Sequence, residues 1–287
     1  MLGELVCVDY WANGFGMRVR IALREKLVEF EFKEEDLWVT QRSQLVLEMN
    51  PIYRSVPILI HHGRPVCGSV NIIEYIDEVW RVDRSSLLPQ DPYGRAQARF
   101  WADFIDKKLF STQTKFLKSK GEDKEAAKAD LIEDLKRLEE VLGERKYFGG
   151  DKFNFLDIAL IPVSSMFNGY EEHGGFKIED HCPNLVKWVE RCMERESVSK
   201  TLPNHKEMYE LHKKWYDLLG IVECLTHALS LLRASLGPGR QLRALLLDAE
   251  AGACLVRIKP RREWHESYVD EPEGVPAEVL LVAELAF

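Results

Sequence analysis

A chain of 287 residues is long for one domain and comfortable for two. With 46% hydrophobic and 30% charged residues it has the composition of a globular protein with enough apolar material for real cores, which argues against wholesale disorder. A net charge of −8 lacks the basic footprint that nucleic acids and anionic bilayers attract, and no apolar run reaches the roughly 18 residues needed to span a membrane.

The N-terminus carries acids early and too short an apolar run for a secretory signal, so a cytoplasmic location is expected. Six cysteines are scattered without a C-x-x-C pair, which fits neither a disulfide framework nor a zinc ribbon. The adjacent His61 and His62 lie in a strand pattern, where neighbours point to opposite faces, so no metal site is expected from them.

Leu5 to Val8 reads as a short buried strand, and Gly14 to Leu27 as a helix with Phe15, Val19, Ala22 and Leu23 on its apolar face. Phe30 and Phe32 alternate with charges as in a half-buried strand, and Arg42 to Glu48 forms a short helix stopped by Asn50-Pro51. Residues 57–61 and 65–67 then pair as strands through a His-Gly hairpin. A helix opens at Ser69 with Ile72, Ile73, Ile76 and Val79 on one stripe.

Beyond the polar connector "SSLLPQDP" the periodicity becomes wholly helical. Phe100, Phe104, Leu109 and Phe116 mark a helix over 93–119, and Leu131, Leu135, Leu138 and Leu142 mark its antiparallel neighbour. "NFLDIALIPVSSMF" starts a central helix with Asn154 as N-cap and Asp157 placed to reach back to it. "CPNLVKWVERCME" and "HKEMYELHKKWYDLLGI" complete the bundle. The domains expected are 1–82, a linker 83–92, 93–220, and an extension 221–287, which is expected to be poorly packed because its apolar bursts have no evident core to join; it reads as an ordered addition, a partner-binding tail, or the product of an altered transcript.

The stretches "WANGFGMRVRIAL", "NPIYRSVPILIHHGRPVCGSVNIIEYIDE" and "RAQARFWADFIDKK" resemble the soluble glutathione transferases, in wording the plant tau class, over about residues 3 to 219. The resemblance implies a thioredoxin-like α/β N-terminal domain with an all-α C-terminal domain. It also implies glutathione as co-substrate with no further cofactor, an apolar electrophile as second substrate, and a homodimer.

A glutathione thiol becomes a nucleophile only as its thiolate, which donors or a helix N-terminus favour. One hydrogen bond to a charged group is worth about 1.5 to 3 kcal/mol, or roughly one to two pKa units. In the tau pattern the donor is a serine in W-x-S-P. Here that position is Asn13, followed by Gly14. Either its amide donates to the sulfur or it merely caps the helix, and both can hold together. Because Asn carries a carbonyl as well as a donor, reduced activity is expected.

By resemblance Ser69 stands where a helix N-terminus holds the γ-glutamyl carboxylate. Gly68 replaces the neighbouring family glutamate, Arg42 replaces a lysine facing the glycyl carboxylate, and Ser55 replaces a second, with Arg54 beside it. Val56-Pro57 is either a cis unit turning the Val56 backbone toward the tripeptide or a plain strand start. Phe15, Phe110, Met166, Phe167 and Trp215 are either walls of the electrophile pocket or ordinary core. The rival to catalysis is a carrier of apolar ligands. A thiol-disulfide reductase would need a cysteine at the first helix turn, and the nearest, Cys7, lies in the strand.

Overall fold

The computed structural model describes residues 4–38, 41–81 and 86–214. Residues 1–36 and 42–212 cluster as one compact unit, and 37–41 with 213–287 as a second. The first carries every element named below. The extension 221–287 lies outside the described residues.

The N-terminal part runs β1 (Leu5–Asp9), α1 (Gly14–Glu25), β2 (Glu31–Glu34), α2 (Gln44–Met49), β3 (Ile58–His61), β4 (Arg64–Cys67) and α3 (Ser69–Val79). The strands form one sheet in the order β2-β1-β3-β4, with β1 and β2 parallel and the other pairs antiparallel. Alternation along β1 divides the core. Val6 and Val8 join Ile58, Ile60 and Val46 of α2 in one cluster, while Leu5, Cys7 and Leu59 join the apolar stripes of α1 and α3 on the other face.

Helices follow: α4 (Pro92–Phe104), a π-helical stretch Ile105–Leu109, α5 (Phe110–Lys118), α6 (Gly121–Leu142), α7 (Phe155–Leu160), a 3-10 stretch Ile161–Met166, α8 (Phe167–Gly174), α9 (Pro183–Met193) and α10 (Glu196–Ser199). Residues 205–212 are also helical. The expected leucines of α6 are buried, and α7 is buried along its whole length. Asn154 and Asp157 form the capping box, and Asp157 also accepts from Phe148 N and from Trp188 Nε1 at 2.7 Å.

Five expectations are corrected. The single helix over 93–119 contains the π-helical stretch, and the central helix tightens to 3-10 geometry at Pro162, which has no N–H for an α-helical bond. The strand holding Phe32 is an exposed edge, with the Phe32 ring covered on one side by the Arg20 guanidinium. Val79 and Phe100 face outward, since α3 and α4 bury narrower stripes than their apolar residues suggest. His62 leaves β3 with φ 49°, so its ring stacks on His61 at 4.3 Å instead of pointing to the opposite face.

A buried ion pair ties α1 to the connector. Lys26 Nζ lies 2.7 Å from Asp77 Oδ1, and Asp77 also accepts from the backbone amides of Leu87 and Leu88. Burial alone would raise the Asp77 carboxyl, but the hydrogen bonds from Lys26 and these amides hold it below the ordinary carboxylate value. A depressed folded pKa contributes stability above the unfolded value of about 3.9 and loses it as pH falls further. Asp77→Asn is therefore expected to cost about 3 kcal/mol in urea unfolding at neutral pH, with the gap to wild type shrinking below about pH 4. A gap that stays constant with pH would show that the charge at Asp77 does not carry the effect.

Candidate functional site

Strand register brings the candidate residues to one end of the sheet. Ile58 pairs with Val8 on one side and with Cys67 on the other. The residues just beyond these partners are Asp9, Pro57 and Gly68, so the start of α1, the turn before β3 and the start of α3 meet across strand spacings of about 4.8 Å. This is the end of the sheet at which both α1 and α3 present their N-termini.

At α1, Asn13 is the N-cap. Its Oδ1 accepts from Phe15 N at 3.1 Å, and its Nδ2 donates to Asp9 Oδ1 at 2.7 Å. The capping role is thus present, and one of the two amide N–H groups is engaged by the buried Asp9. Asp9 is fully enclosed at 0% exposure, and its Oδ2 accepts no hydrogen bond among the described residues. Arg20 is the nearby cation, with Nη2 3.6 Å from Oδ2. Desolvation pushes the Asp9 carboxyl up to about 7 against the opposing pull of Arg20 and the Asn13 hydrogen bond.

At α3, Gly68 takes φ 86°, a left-handed conformation that suits glycine, and no side chain caps the first turn. The opening amides are thereby left to serve an anion. Ser69 is buried, and its Oγ accepts from Arg18 Nη1 at 3.2 Å, which leaves its own O–H free to donate. Arg18 is itself fully enclosed. It donates through Nε to the Ala159 carbonyl at 2.7 Å, pairs with Asp106 at 2.7 Å, and lies 5.1 Å from the Phe15 ring centroid. Burial pulls the guanidinium below its usual value, and Asp106 counters that pull.

The remaining candidates are placed unevenly. The Val56–Pro57 bond is cis. Ser55 and Arg54 are exposed, and Ser55 accepts through its carbonyl and Oγ from Asn50 Nδ2. Arg42 precedes Ser43, the N-cap of α2, and donates to the Asp36 carbonyl at 3.4 Å. Phe15 and Phe110 stack at 4.7 Å, half-buried, and Gly14 lies against Phe110 and Pro162. Met166 and Phe167 are enclosed at 2% and 8% exposure, so the core alternative describes them and not an open wall. Trp215 lies outside the described residues.

Sequence reasoning missed Asp9, Gly16 and Arg18. The signal was present. Asp9 is an acid at the end of an otherwise apolar strand, placed before a turn, and Arg18 interrupts the buried stripe of α1.

Comparison with known proteins identifies the family and the fold. Residues 4–78 match the glutathione S-transferase N-terminal domain model and 99–196 the C-terminal one. A probable glutathione S-transferase, parC, of Nicotiana tabacum is 53% identical, covering 76% of this chain and 98% of its own. Glutathione S-transferase U25 of Arabidopsis thaliana is 50% identical, covering 77% and 99%. Among solved structures, rice GST1 in complex with glutathione superposes with a TM-score of 0.70 at 40% identity, over 75% of this chain and 96% of that one. A tau-class enzyme from mango gives 0.69 at 34%, over 73% and 97%.

Proposed function

Given that this chain belongs to the glutathione S-transferase family, with tau-class relatives, and is a glutathione transferase, we propose that it joins the glutathione thiol to apolar electrophiles through Asn13. The γ-glutamyl carboxylate sits on the uncapped N-terminus of α3 with the Ser69 hydroxyl, and the Val56 backbone ahead of the cis proline pairs with the extended tripeptide. Arg42 and Arg54 supply positive charge toward the glycyl carboxylate. The thiol lies at the N-terminus of α1, where the helix dipole and the free N–H of Asn13 Nδ2 favour the thiolate. Rate enhancement comes from ionising the thiol and from bringing both substrates together.

The observation that carries this reading is the convergence of Asn13, Pro57 and Ser69 through the register of β1, β3 and β4. The stacked Phe15 and Phe110 offer the apolar surface for the electrophile. The proposed working unit is a cytoplasmic homodimer. Exposed Ile52, Tyr53, Tyr93 and Phe100 supply apolar area for an interface, and their burial in solution is readable by sedimentation and hydrogen exchange.

Retention on glutathione-agarose and turnover of a chlorodinitrobenzene electrophile test the reading together. Retention with turnover supports the transferase, retention without turnover supports a carrier of apolar ligands, and failure of both removes the glutathione site. Asn13→Ser replaces the carboxamide by a hydroxyl donor with no carbonyl dipole and is expected to raise turnover near neutral pH, by about tenfold for each pKa unit gained. Unchanged or lower turnover in a folded variant would refute the donor role of Asn13.

A further inference from the structure

The pairing of Asp9 with Asn13 is costly to maintain. A carboxylate at 0% exposure, with one oxygen unpartnered and its cation at 3.6 Å, spends desolvation energy that an apolar residue would not. The surrounding structure is nonetheless shaped around it. A methyl group built at Gly16 would lie 1.5 Å from Asp9 Oδ2, so a glycine in the first turn of α1 leaves the space this carboxylate occupies.

Geometry points to what the carboxylate does. A carboxamide has two interchangeable faces, and a neutral partner can bond to either. A carboxylate only accepts, so it holds Nδ2 of Asn13 toward β1 and sends Oδ1 to the Phe15 amide. The second proton on Nδ2 is then the free donor of that side chain. Without the carboxylate the amide can turn its oxygen toward the sulfur, where it would repel a thiolate.

We propose that Asp9 is a positioning residue for the transferase reaction, orienting the Asn13 carboxamide so that its free N–H, and not its carbonyl, faces the glutathione sulfur. The inference rests on the reading of Asn13 as thiol donor. The charged and titratable groups around Asp9 are Cys7 on its own strand, Arg20 from α1 and Glu34 from β2. Arg20 favours the charged carboxylate and Glu34 opposes it. With burial raising Asp9 to about 7, the orienting charge is lost as the solution is acidified through neutrality.

The two roles open to Asp9 have opposite signs. As a bystander charge it disfavours the thiolate, and Asp9→Asn would lower the bound thiol's pKa. As an orienting group its removal raises that pKa, by about one unit, and lowers kcat/KM near neutral pH about tenfold. The measurement is the ultraviolet thiolate difference titration of bound glutathione in Asp9→Asn, in Asn13→Ala and in the double variant.

The expected result is a rise in Asp9→Asn that disappears when the same change is made on Asn13→Ala. A fall, no change, or an equal rise in both backgrounds would overturn the proposal. A second readout uses the unsubstituted protein. The side-chain amide resonances of Asn13, assigned by their loss in Asn13→Ser, are expected to shift with a midpoint near 7 in the absence of glutathione, and pH-independent resonances would also overturn it. Calorimetry with glutathione separates the failures: no heat of binding removes the glutathione reading, whereas the amide titration reports on Asp9 alone.

Discussion

Gly16→Ala is expected to cost more than about 3 kcal/mol and to abolish conjugation, although glycine to alanine ordinarily stabilises a helix interior by about 1 kcal/mol. The reversal comes from one contact. The new methyl carbon falls 1.5, 1.9 and 2.3 Å from the three carboxyl atoms of Asp9, which is enclosed and cannot swing into solvent. Either α1 lifts from β1 or Asp9 abandons Asn13. Thermal or urea unfolding measures the cost, and a rescue identifies its cause: Asp9→Ala added to Gly16→Ala removes the obstructing group. The double variant should be more stable than Gly16→Ala alone, with kcat/KM still about tenfold below wild type, the loss expected for removing Asp9. A double variant no more stable than the single one would show that the clash lies elsewhere.

Asp157→Ala is expected to cost about 4 kcal/mol, because it strips the acceptor from three donors at once. These are the amides of Phe148 and Asn154 and the indole N–H of the fully buried Trp188. Each buried donor left unpaired costs about 1 to 3 kcal/mol. Desolvation raises the Asp157 carboxyl to about 6, against the opposing effect of those hydrogen bonds. A raised folded pKa adds stability that is complete below the unfolded value of about 3.9 and is lost as pH rises through about 6. The difference between wild type and Asp157→Ala should therefore widen as pH is lowered from 7 toward 4, the opposite trend to Asp77→Asn. A gap that narrows on acidification would contradict this assignment.

Much of the fold was legible because its periodicities are long and local. The leucines of α6 and the Asn154–Asp157 cap read directly from spacing, and the structure has both. The edge strand at Phe32 misled because alternation predicts one buried face only when something packs there, and Arg20 covers the ring instead. The π-helical stretch at Ile105–Leu109 left no mark in the apolar spacing. At the site, Asn13 and Ser69 stood out as polar residues at helix openings. Asp9, Gly16 and Arg18 did not, since their roles depend on contacts between separate elements: Arg18 reaches Ala159 across 141 positions, and a glycine's value as empty space is invisible until the carboxylate filling it is seen.

The bound thiol's own titration addresses the site most directly. Glutathione held with its sulfur at the N-terminus of α1 and beside the free N–H of Asn13 should ionise about one unit or more below an ordinary thiol's value of about 8.5. A thiolate difference absorbance that appears on binding at neutral pH, and weakens in Asn13→Ala, is the expected result. Bound glutathione that titrates at or above the free thiol's value would contradict thiolate stabilisation by this helix terminus.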